Sequence, residues 1–310
     1  MTCLRAKWLL LVAALLWGTG NVANKSVLED IGPFTAVAIR SGLAAFVLVP
    51  LALRDRSAPA ASGWWRSSIA LSVLFTCAVT LQQWAYLYSS VTNASFLVNC
   101  STVLTPLIAW ALYGHRQHRM VVIAAFLCLG GAAAMSLAGG PLQRLNPGDM
   151  ACLASAAMYA FWYIAQEDHA RRFGKATATT CIQCALCAAF VCPIALGAED
   201  ITPVALLRAA PELIYLGIFS TALAFSLTLL AQSRVSATTA AVILSAESLF
   251  GAAGAFVVLG ERSTFIAVMG AGLILLGIVM TTVAPDPAQA ARQSGNSSFR
   301  KLARRIVSAG

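Results

Sequence analysis

The sequence predicts an all-α polytopic membrane protein, with ten transmembrane helices arranged as two inverted five-helix repeats. Three observations support this fold class. Of the 310 residues, 59% are hydrophobic and only 11% are charged, whereas a soluble domain carries about 25% charged residues. Apolar runs near the roughly 20 residues that a helix needs to cross a bilayer recur along the chain. The two halves of the chain also resemble each other.

The apolar runs lie between charged residues and Pro or Gly breaks, and each is long enough to be a membrane-spanning helix. They cover residues 8–28, 34–53, 67–88, 91–113, 119–139, 148–168, 177–197, 212–233, 236–259 and 264–284. Little sequence remains outside these ten spans. We therefore expect only a short N-terminus, residues 1–7, and a basic tail, residues 285–310.

The distribution of basic residues predicts the orientation. With ten alternating spans and a cytoplasmic N-terminus, sixteen Lys and Arg residues fall on the cytoplasmic side and four on the other. The four are Lys25, Arg144, Arg208 and Arg262. Cytoplasmic loops of membrane proteins are enriched in Lys and Arg, so both termini are predicted to be cytoplasmic. The net charge of +9 is explained by this bias and does not indicate nucleic-acid binding.

The two predicted repeats cover residues 8–139 and 148–284. Gly114-His115-Arg116 closes the fourth span of the first half, and Gly260-Glu261-Arg262 closes the fourth span of the second. Similar segments begin those spans at Ser89 and Ser233. Because each half has five spans, an odd number, the second repeat must insert upside down relative to the first. Inverted repeats are common in transporters, which bind substrate near the midplane.

Small residues predict where helices approach each other closely. Gly130 and Ala134 lie in the fifth span, and Gly251 and Ala255 lie in the ninth. Residues without bulky side chains let two backbones come together in the membrane.

A cysteine pattern in the seventh span resembles a cluster-binding loop. Cys181, Cys184 and Cys187 have the spacing of iron–sulfur ligands. On a helix, however, positions three apart drift by about 60°, so three thiols spread over about 120° of one face. Buried cysteines otherwise behave as small hydrophobic residues. We expect no metal ion and no other cofactor.

Two charged residues lie inside predicted spans. Glu247 is about halfway along the ninth span, and Arg40 lies near the outer end of the second. A charge near the bilayer centre costs at least ~2.5–3.5 kcal/mol, so each should face a partner or a cavity. Their predicted depths differ by about 6 Å. One expectation is that they pair with each other as structural or coupling charges. The other is that Glu247 binds a proton or the ammonium group of a substrate.

Amide and aromatic side chains crowd the same spans. Buried amides are costly without partners, and amides beside aromatic rings suit a polar, flat-sided small molecule. Trp17 and Asn21, four residues apart, share one helix face. The candidate substrate-binding residues are Trp17, Asn21, Gln82, Gln83, Trp84, Tyr86, Asn99, Tyr159, Trp162 and Glu247.

Several motifs resemble the EamA family of the drug/metabolite transporter superfamily. They are Leu16-Trp17-Gly18-Thr19-Gly20-Asn21, followed by Lys25, Pro33 and Arg40, and in the second half Ala246-Glu247 and Leu259-Gly260-Glu261-Arg262. The chain departs from the family at Ser248, where a proline is usual, and at His115, where a glutamate is usual. The resemblance covers roughly residues 8–284. It implies ten helices in two inverted repeats and export of small metabolites across a bacterial inner (plasma) membrane.

The expected function is therefore secondary transport by alternating access, with aromatic and neutral amino acids as substrates and the lipid bilayer as the other partner. Export or facilitated transport of other metabolites or drugs, such as sugars or nucleotide sugars, is the alternative. An intramembrane enzyme ranks lower, because it would require paired carboxylates, a His or a reactive Cys converging in the membrane, and Glu247 has no such partner. A scaffold subunit would leave the intramembrane amides without a purpose. The sequence contains no Walker A motif, so no ATP hydrolysis is expected.

Overall fold

The computed structural model describes residues 1–54, 62–89, 91–113, 118–138, 146–259 and 264–283. Helices make up 89% of these residues, and none of them lies in a strand. The all-helical prediction is confirmed, as expected for a chain that must satisfy its backbone hydrogen bonds in lipid. The Gly114-His115-Arg116 and Gly260-Glu261-Arg262 tripeptides and the basic tail lie outside the described residues.

The first half of the chain folds into helices separated by short connections. They are α1 (Cys3–Ser26), α2 (Pro33–Arg54), α3 (Trp64–Ala85), α4 (Val91–Asn99), α5 (Ser101–Tyr113) and α6 (Arg119–Ala138). A 3-10 turn, Val27–Glu29, extends α1.

The second half is also helical along the described residues. Its helices are α7 (Pro147–Phe173), α8 (Ala176–Ala198), α9 (Pro203–Arg208), α10 (Ala210–Tyr215), α11 (Ala224–Gln232), α12 (Ala237–Leu244), α13 (Glu247–Leu259) and α14 (Phe265–Val283). A π-helix, Leu216–Leu223, joins α10 to α11. Segments of this kind are rare and frequently occur at functional sites.

Eight helical segments among the described residues are long and apolar enough to cross a membrane, and they coincide with eight of the ten predicted spans. The predicted span 148–168 lies within α7, which is long enough but more polar. Asp149 is buried in this helix, and so are Trp162, Gln166 and His169. Helices α3, α4, α5, α11 and α12 pack against α7. Because these neighbouring helices bury the polar side chains named above, α7 can be more polar than the other spans.

The ninth predicted span, residues 236–259, is an interrupted helix. Helix α12 ends at Leu244, a turn follows at residues 245–246, and α13 begins at Glu247. The fourth span has a similar break, because α4 ends at Asn99 and α5 begins at Ser101. The two segments whose sequences resemble each other therefore share an interruption partway along their length.

Helix α7 holds the starts of α4 and α12 at its two opposite ends. Near its N-terminus, the Asp149 carboxylate accepts hydrogen bonds from Ser89 (2.6 Å) and Asn93 (2.7 Å). Near its C-terminus, the Glu167 carboxylate accepts a hydrogen bond of 2.6 Å from the backbone N–H of Ala237. Because α4 and α12 begin at opposite ends of α7, they run in opposite directions through the bundle.

Glycines bring two helix pairs into close contact. A Cβ on Gly18 of α1 would lie 2.5 Å from the backbone oxygen of Glu247 and 2.8 Å from the backbone nitrogen of Gly251. Gly131 of α6 packs against Gly270 of α14, where an added Cβ would lie 2.5 Å from the Gly270 oxygen. The predicted contact residue Gly130 instead has no atom within 4 Å of an added Cβ. The contact face of this span is therefore one residue later than the sequence suggested.

The three cysteines of the cluster-like pattern lie on α8 and are buried. Ser41 donates a 3.5 Å hydrogen bond to the Cys187 sulfur, and the Cys181 thiol approaches the Ala45 carbonyl oxygen at 3.6 Å. These contacts pack α8 against α2. Nowhere in the described residues do three or more His, Cys, Asp or Glu side chains group in a way that could hold a metal ion.

Candidate functional site

A polar cavity lies where the two halves of the chain meet. Its side chains come from α1, α2 and α3, from both interrupted helices, and from α7, the π-helix and α11. It offers about 40 Å³ for the centres of water molecules, which is room for roughly three waters at ~10–15 Å³ each. The lining includes Trp17, Asn21, Asn24, Arg40, Gln82, Asn99, Ser101, Tyr159, Tyr163, Ser220, Phe225 and Glu247.

The helix interruptions bring two helix N-termini to this cavity. Ser101 is the first residue of α5 and Glu247 is the first residue of α13, and both line the cavity. The N-terminus of a helix carries a partial positive charge, and at these two helices the preceding turn accepts hydrogen bonds from several of the first N–H groups. The two breaks are joined directly, because the Asn99 amide donates a 2.6 Å hydrogen bond to the Ser248 hydroxyl. The interruptions thus place polar backbone and side chains inside the bundle.

Glu247 is held by an asparagine of α1. The Asn21 amide nitrogen donates a 2.6 Å hydrogen bond to Glu247 Oε1 and a 3.3 Å bond to the Ser95 hydroxyl. The Asn21 oxygen accepts a 3.1 Å hydrogen bond from the Tyr86 hydroxyl. These bonds fix the orientation of the Asn21 amide, so that its nitrogen faces the carboxylate.

Arg40 lies on the same cavity but does not pair with Glu247. Its side chain is buried, with 6% of the residue exposed, and it donates a 2.8 Å hydrogen bond from Nη1 to the Asn24 side-chain oxygen. Its Nε has no hydrogen-bond partner. Among the described residues, ion pairs within 4.0 Å occur only at Arg171–Glu167 and Arg172–Asp168. The direct Arg40–Glu247 pair considered from the sequence is not formed, because asparagines of α1 engage each charge separately.

Aromatic rings form one wall of the cavity. The Trp17 indole nitrogen donates a 2.9 Å hydrogen bond to the backbone oxygen of Ser220 in the π-helix, and its ring lies 4.8 Å from that of Phe225. Tyr159 donates a 2.8 Å hydrogen bond to the Gln82 side-chain oxygen and stacks on Tyr163 at 6.2 Å. The wall therefore has a fixed arrangement of rings with polar groups at its edges.

The structure places six of the ten predicted substrate-binding residues on the cavity: Trp17, Asn21, Gln82, Asn99, Tyr159 and Glu247. Tyr86 lies behind Asn21 and reaches the site only through its hydroxyl.

Three other predicted residues lie outside the cavity lining. Gln83 donates to the Asn24 carbonyl oxygen at 2.9 Å, and Trp162 donates to Gln183 at 2.8 Å. Trp84 packs against Tyr88 with ring centroids 4.8 Å apart. The sequence indicated that these residues lie in the spans, but it did not decide which helix face meets the cavity.

Several cavity residues were not predicted. Asn24 is three residues after Asn21 on α1, and this spacing could have indicated it. Ser220 and Phe225 carry no such signal, because neither shares a motif or a helical spacing with the other candidate residues. Ser220 reaches the cavity from the π-helix, whose backbone geometry is not apparent from the residues.

Comparison with known proteins agrees with this architecture. The model of the EamA-like transporter family matches the chain twice, at residues 4–137 and 146–283. The chain belongs to the EamA-like transporter family. It is therefore a multi-pass membrane transporter that acts on small molecules in a lipid bilayer.

Two relatives from Archaeoglobus fulgidus are similar along most of their length, and both are described as uncharacterized transporters. One is 27% identical over 285 residues, which is 88% of this chain and 96% of the relative. The other is 26% identical over 278 residues, which is 88% of this chain and 84% of the relative.

A solved crystal structure is similar in fold. It has 19% sequence identity and a TM-score of 0.75, and the match covers 90% of this chain and 96% of that one.

Proposed function

We propose that this chain exports small metabolites, with aromatic and neutral amino acids as its substrates, by alternating access across the inner membrane. The observation that carries the proposal is the cavity itself, where the Glu247 carboxylate lies beside amides and an aromatic wall. A carboxylate suits the ammonium group of an amino acid, and aromatic rings suit a flat or apolar side chain. The length and aromatic content of the chain also resemble those of the aromatic amino acid exporter YddG.

The small size of the cavity supports alternating access. About 40 Å³ of space for water centres is far below the ~300–1,000 Å³ of ordinary ligand pockets. An amino acid would need the surrounding helices to separate before it could enter. The cavity lies between helices from both halves of the chain, so relative movement of the halves would enlarge it.

Two inverted repeats fit the helix directions. The family model matches each half of the chain, and α4 and α12 run in opposite directions past α7. Transporters with inverted repeats bind substrate where interrupted helices meet near the midplane. The interruptions at Cys100 and at residues 245–246 fit this arrangement.

The proposed orientation has both termini in the cytoplasm and can be tested by chemical labelling. Cysteines introduced one at a time at positions 175 and 200, which flank α8, in a variant whose nine native cysteines are replaced, should react with a membrane-impermeant reagent from opposite sides. Position 175 should react only from the cytoplasm, as the excess of basic residues predicts. Labelling of both positions from one side would contradict the proposed topology.

Substrate class can be tested with purified protein in proteoliposomes. Labelled phenylalanine and leucine should be transported, and unlabelled tryptophan and tyrosine should compete with them, whereas glucose and a UDP-sugar should not. Asn21→Ala should lower the rate by about tenfold or more, since it removes a hydrogen bond to a charged group. The control Phe190→Ala changes an exposed residue of α8 and should transport normally. Transport of sugars or nucleotide sugars without any amino acid would overturn the proposal in favour of that substrate class.

A further inference from the structure

We propose that Arg40 binds the carboxylate of the substrate, while Glu247 binds its ammonium group. The inference rests on the proposed function and adds the way in which the substrate is oriented. It makes the candidate site selective for molecules that carry both charges.

Arg40 has the features of an anion-binding residue without its anion. A guanidinium group has five N–H donors and stays charged in proteins. The structure gives Arg40 one hydrogen bond, to the neutral Asn24 side chain, and leaves the buried Nε without a partner. A buried charge is costly unless it is paired and hydrogen-bonded. Because Arg40 lines the cavity, the remaining donors of its guanidinium suit a ligand carboxylate, which can accept two parallel hydrogen bonds from such a group.

Among the described residues, no carboxylate lies within 4.0 Å of the Arg40 guanidinium. The titratable side chains near it are the phenols of Tyr86 and Tyr159 and the thiols of Cys184 and Cys187. Ordinary phenols and thiols are mostly neutral at pH 7. Glu247 lies on the same cavity, but its carboxylate is not within 4.0 Å of the guanidinium. A negative charge that reaches the cavity from solution would therefore compensate Arg40.

Helix α1 holds the two opposite charges apart. Asn24 engages Arg40, and Asn21 engages Glu247. The two asparagines are three residues apart, which corresponds to a rise of about 4.5 Å along a helix. Asn21, Asn24 and both charged residues line one cavity. A zwitterion bound there could meet both charges at once, whereas an amine or an acid alone would leave one of them uncompensated.

Trp17 adds a place for the substrate side chain. It lies one helical turn before Asn21 and also lines the cavity. Its indole nitrogen is bonded to Ser220, so the ring is held in one orientation. The arrangement is that of a three-point site, with a cation, an anion and a flat apolar wall.

The inference can be tested by comparing three ligands that share a phenyl ring but carry both charged groups, the ammonium alone or the carboxylate alone. Binding of phenylalanine, 2-phenylethylamine and 3-phenylpropionate would be measured by calorimetry on the purified full-length protein. Wild-type protein should bind phenylalanine about 10- to 100-fold more tightly than either analogue, as expected for losing a hydrogen bond to a charged group. Arg40→Met should weaken phenylalanine to the level of 2-phenylethylamine and leave binding of that amine unchanged. The control Arg208→Met removes an exposed basic residue and should leave all three affinities unchanged.

Folding is monitored in the same samples by thermal melting. Arg40→Met should melt at the wild-type temperature or above, because it removes a buried charge that has no oppositely charged partner. Arg40→Lys keeps the charge without the planar fork and should retain part of the preference for phenylalanine. If Arg40→Met fails to fold, the test rests on Arg40→Lys, and a folded Arg40→Lys with a reduced preference for phenylalanine supports the inference. Equal weakening of phenylalanine and 2-phenylethylamine in a folded Arg40 variant would overturn it.

Two further outcomes separate this inference from neighbouring ideas. Chloride or phosphate could stabilise wild-type protein but not Arg40→Met, with no discrimination between phenylalanine and 2-phenylethylamine. Arg40 would then bind an inorganic anion, and the substrate-carboxylate inference would be wrong. If none of the three aromatic ligands bound while a sugar did, the proposed function itself would fail.

Discussion

The two interrupted helices, α4–α5 and α12–α13, share a backbone feature but differ in chemistry. Both are interrupted beside the cavity. The start of α4 is hydrogen-bonded to the N-terminal end of α7, and the start of α12 is hydrogen-bonded to its C-terminal end. The first break offers an amide and a hydroxyl, Asn99 and Ser101, while the second offers the carboxylate of Glu247. The second also packs closely on α1 through Gly251. The comparison indicates that both interrupted helices shape the cavity, whereas only the second contributes a charged side chain to it.

The largest expected effect is at the second break. Glu247→Gln should lower transport of phenylalanine by about 10- to 150-fold, since a hydrogen bond to a charged group is worth about 1.5–3 kcal/mol. Asn99→Ala at the first break should lower it by about 2- to 12-fold, since a neutral hydrogen bond is worth about 0.5–1.5 kcal/mol. Transport rates in proteoliposomes, normalised to folded protein, measure both.

Two results would break this contrast. A Glu247→Gln protein with the normal rate and the normal pH profile would remove the carboxylate from the mechanism. If Glu247→Gln instead failed to fold and Arg40→Met restored it, the residue would have a structural role as the partner of Arg40.

The next effect concerns the close packing of α13 on α1. Gly18→Ala should lower the free energy of unfolding by about 1–3 kcal/mol or more, as overpacking does in proteins. The added Cβ would meet the backbone oxygen of Glu247 at 2.5 Å, and backbone atoms cannot rotate away. The control Gly130→Ala adds a Cβ where no atom lies within 4 Å and should keep the melting temperature. Equal melting temperatures for the two variants would show that α1 and α13 can separate at little cost.

A smaller difference is expected between the two ends of α7. Asp149→Ala removes a buried carboxylate that also accepts a 3.0 Å hydrogen bond from the backbone of Asn146, and it should cost about 1–3 kcal/mol of stability. Glu167→Ala removes a partly exposed side chain whose ion-pair partner, Arg171, is also partly exposed, and it should cost about 0.5–1.5 kcal/mol. Thermal melting of both variants measures the difference. The reverse order of stability would mean that the start of α12 depends more on α7 than the start of α4 does.

The smallest effect is on substrate preference. Trp17→Ala should reduce transport of phenylalanine relative to threonine by about 2- to 12-fold, because ring stacking is worth about 0.5–1.5 kcal/mol beyond burial. The ratio of the two transport rates measures this directly. Trp84→Ala is the matched control, since Trp84 packs against Tyr88 outside the cavity lining, and it should leave the ratio unchanged. An equal loss for both substrates in Trp17→Ala would instead indicate damage to packing.

Helix periodicity predicted which side chains share a face, but not which face meets the cavity. Gln82 and Tyr86 form a 3.4 Å hydrogen bond along one face of α3, and Trp84 and Tyr88 pack along another. Only Gln82 among these four lines the cavity. The spacing of residues on one helix is fixed by its geometry, whereas the rotation of that helix depends on the helices around it.

The sequence predicts that the two intramembrane charges lie at similar depths, and in the structure both line one cavity. The predicted depths do not determine whether the two residues form an ion pair, because a difference in height of about 6 Å says nothing about their lateral separation. That separation depends on Asn21 and Asn24, which hold Glu247 and Arg40 individually. Asn24 has this role because Arg40 of α2 lies within hydrogen-bond distance of it, which the sequence of α1 alone does not indicate.

The sequence by itself determined the all-helical membrane architecture, eight of the ten spans and the resemblance between the fourth and ninth spans. These properties follow from local composition, because a lipid-facing segment must be apolar and must pair its own backbone groups. Only the tertiary structure decided that the polar residues Gln166 and His169 of α7 are buried, that two helices are interrupted at the cavity, and that Arg40 and Glu247 stay apart. Each of these depends on contacts between residues far apart in the chain. Such contacts stabilise polar groups and broken helices within the bundle. They cannot be predicted from the residues of one span alone.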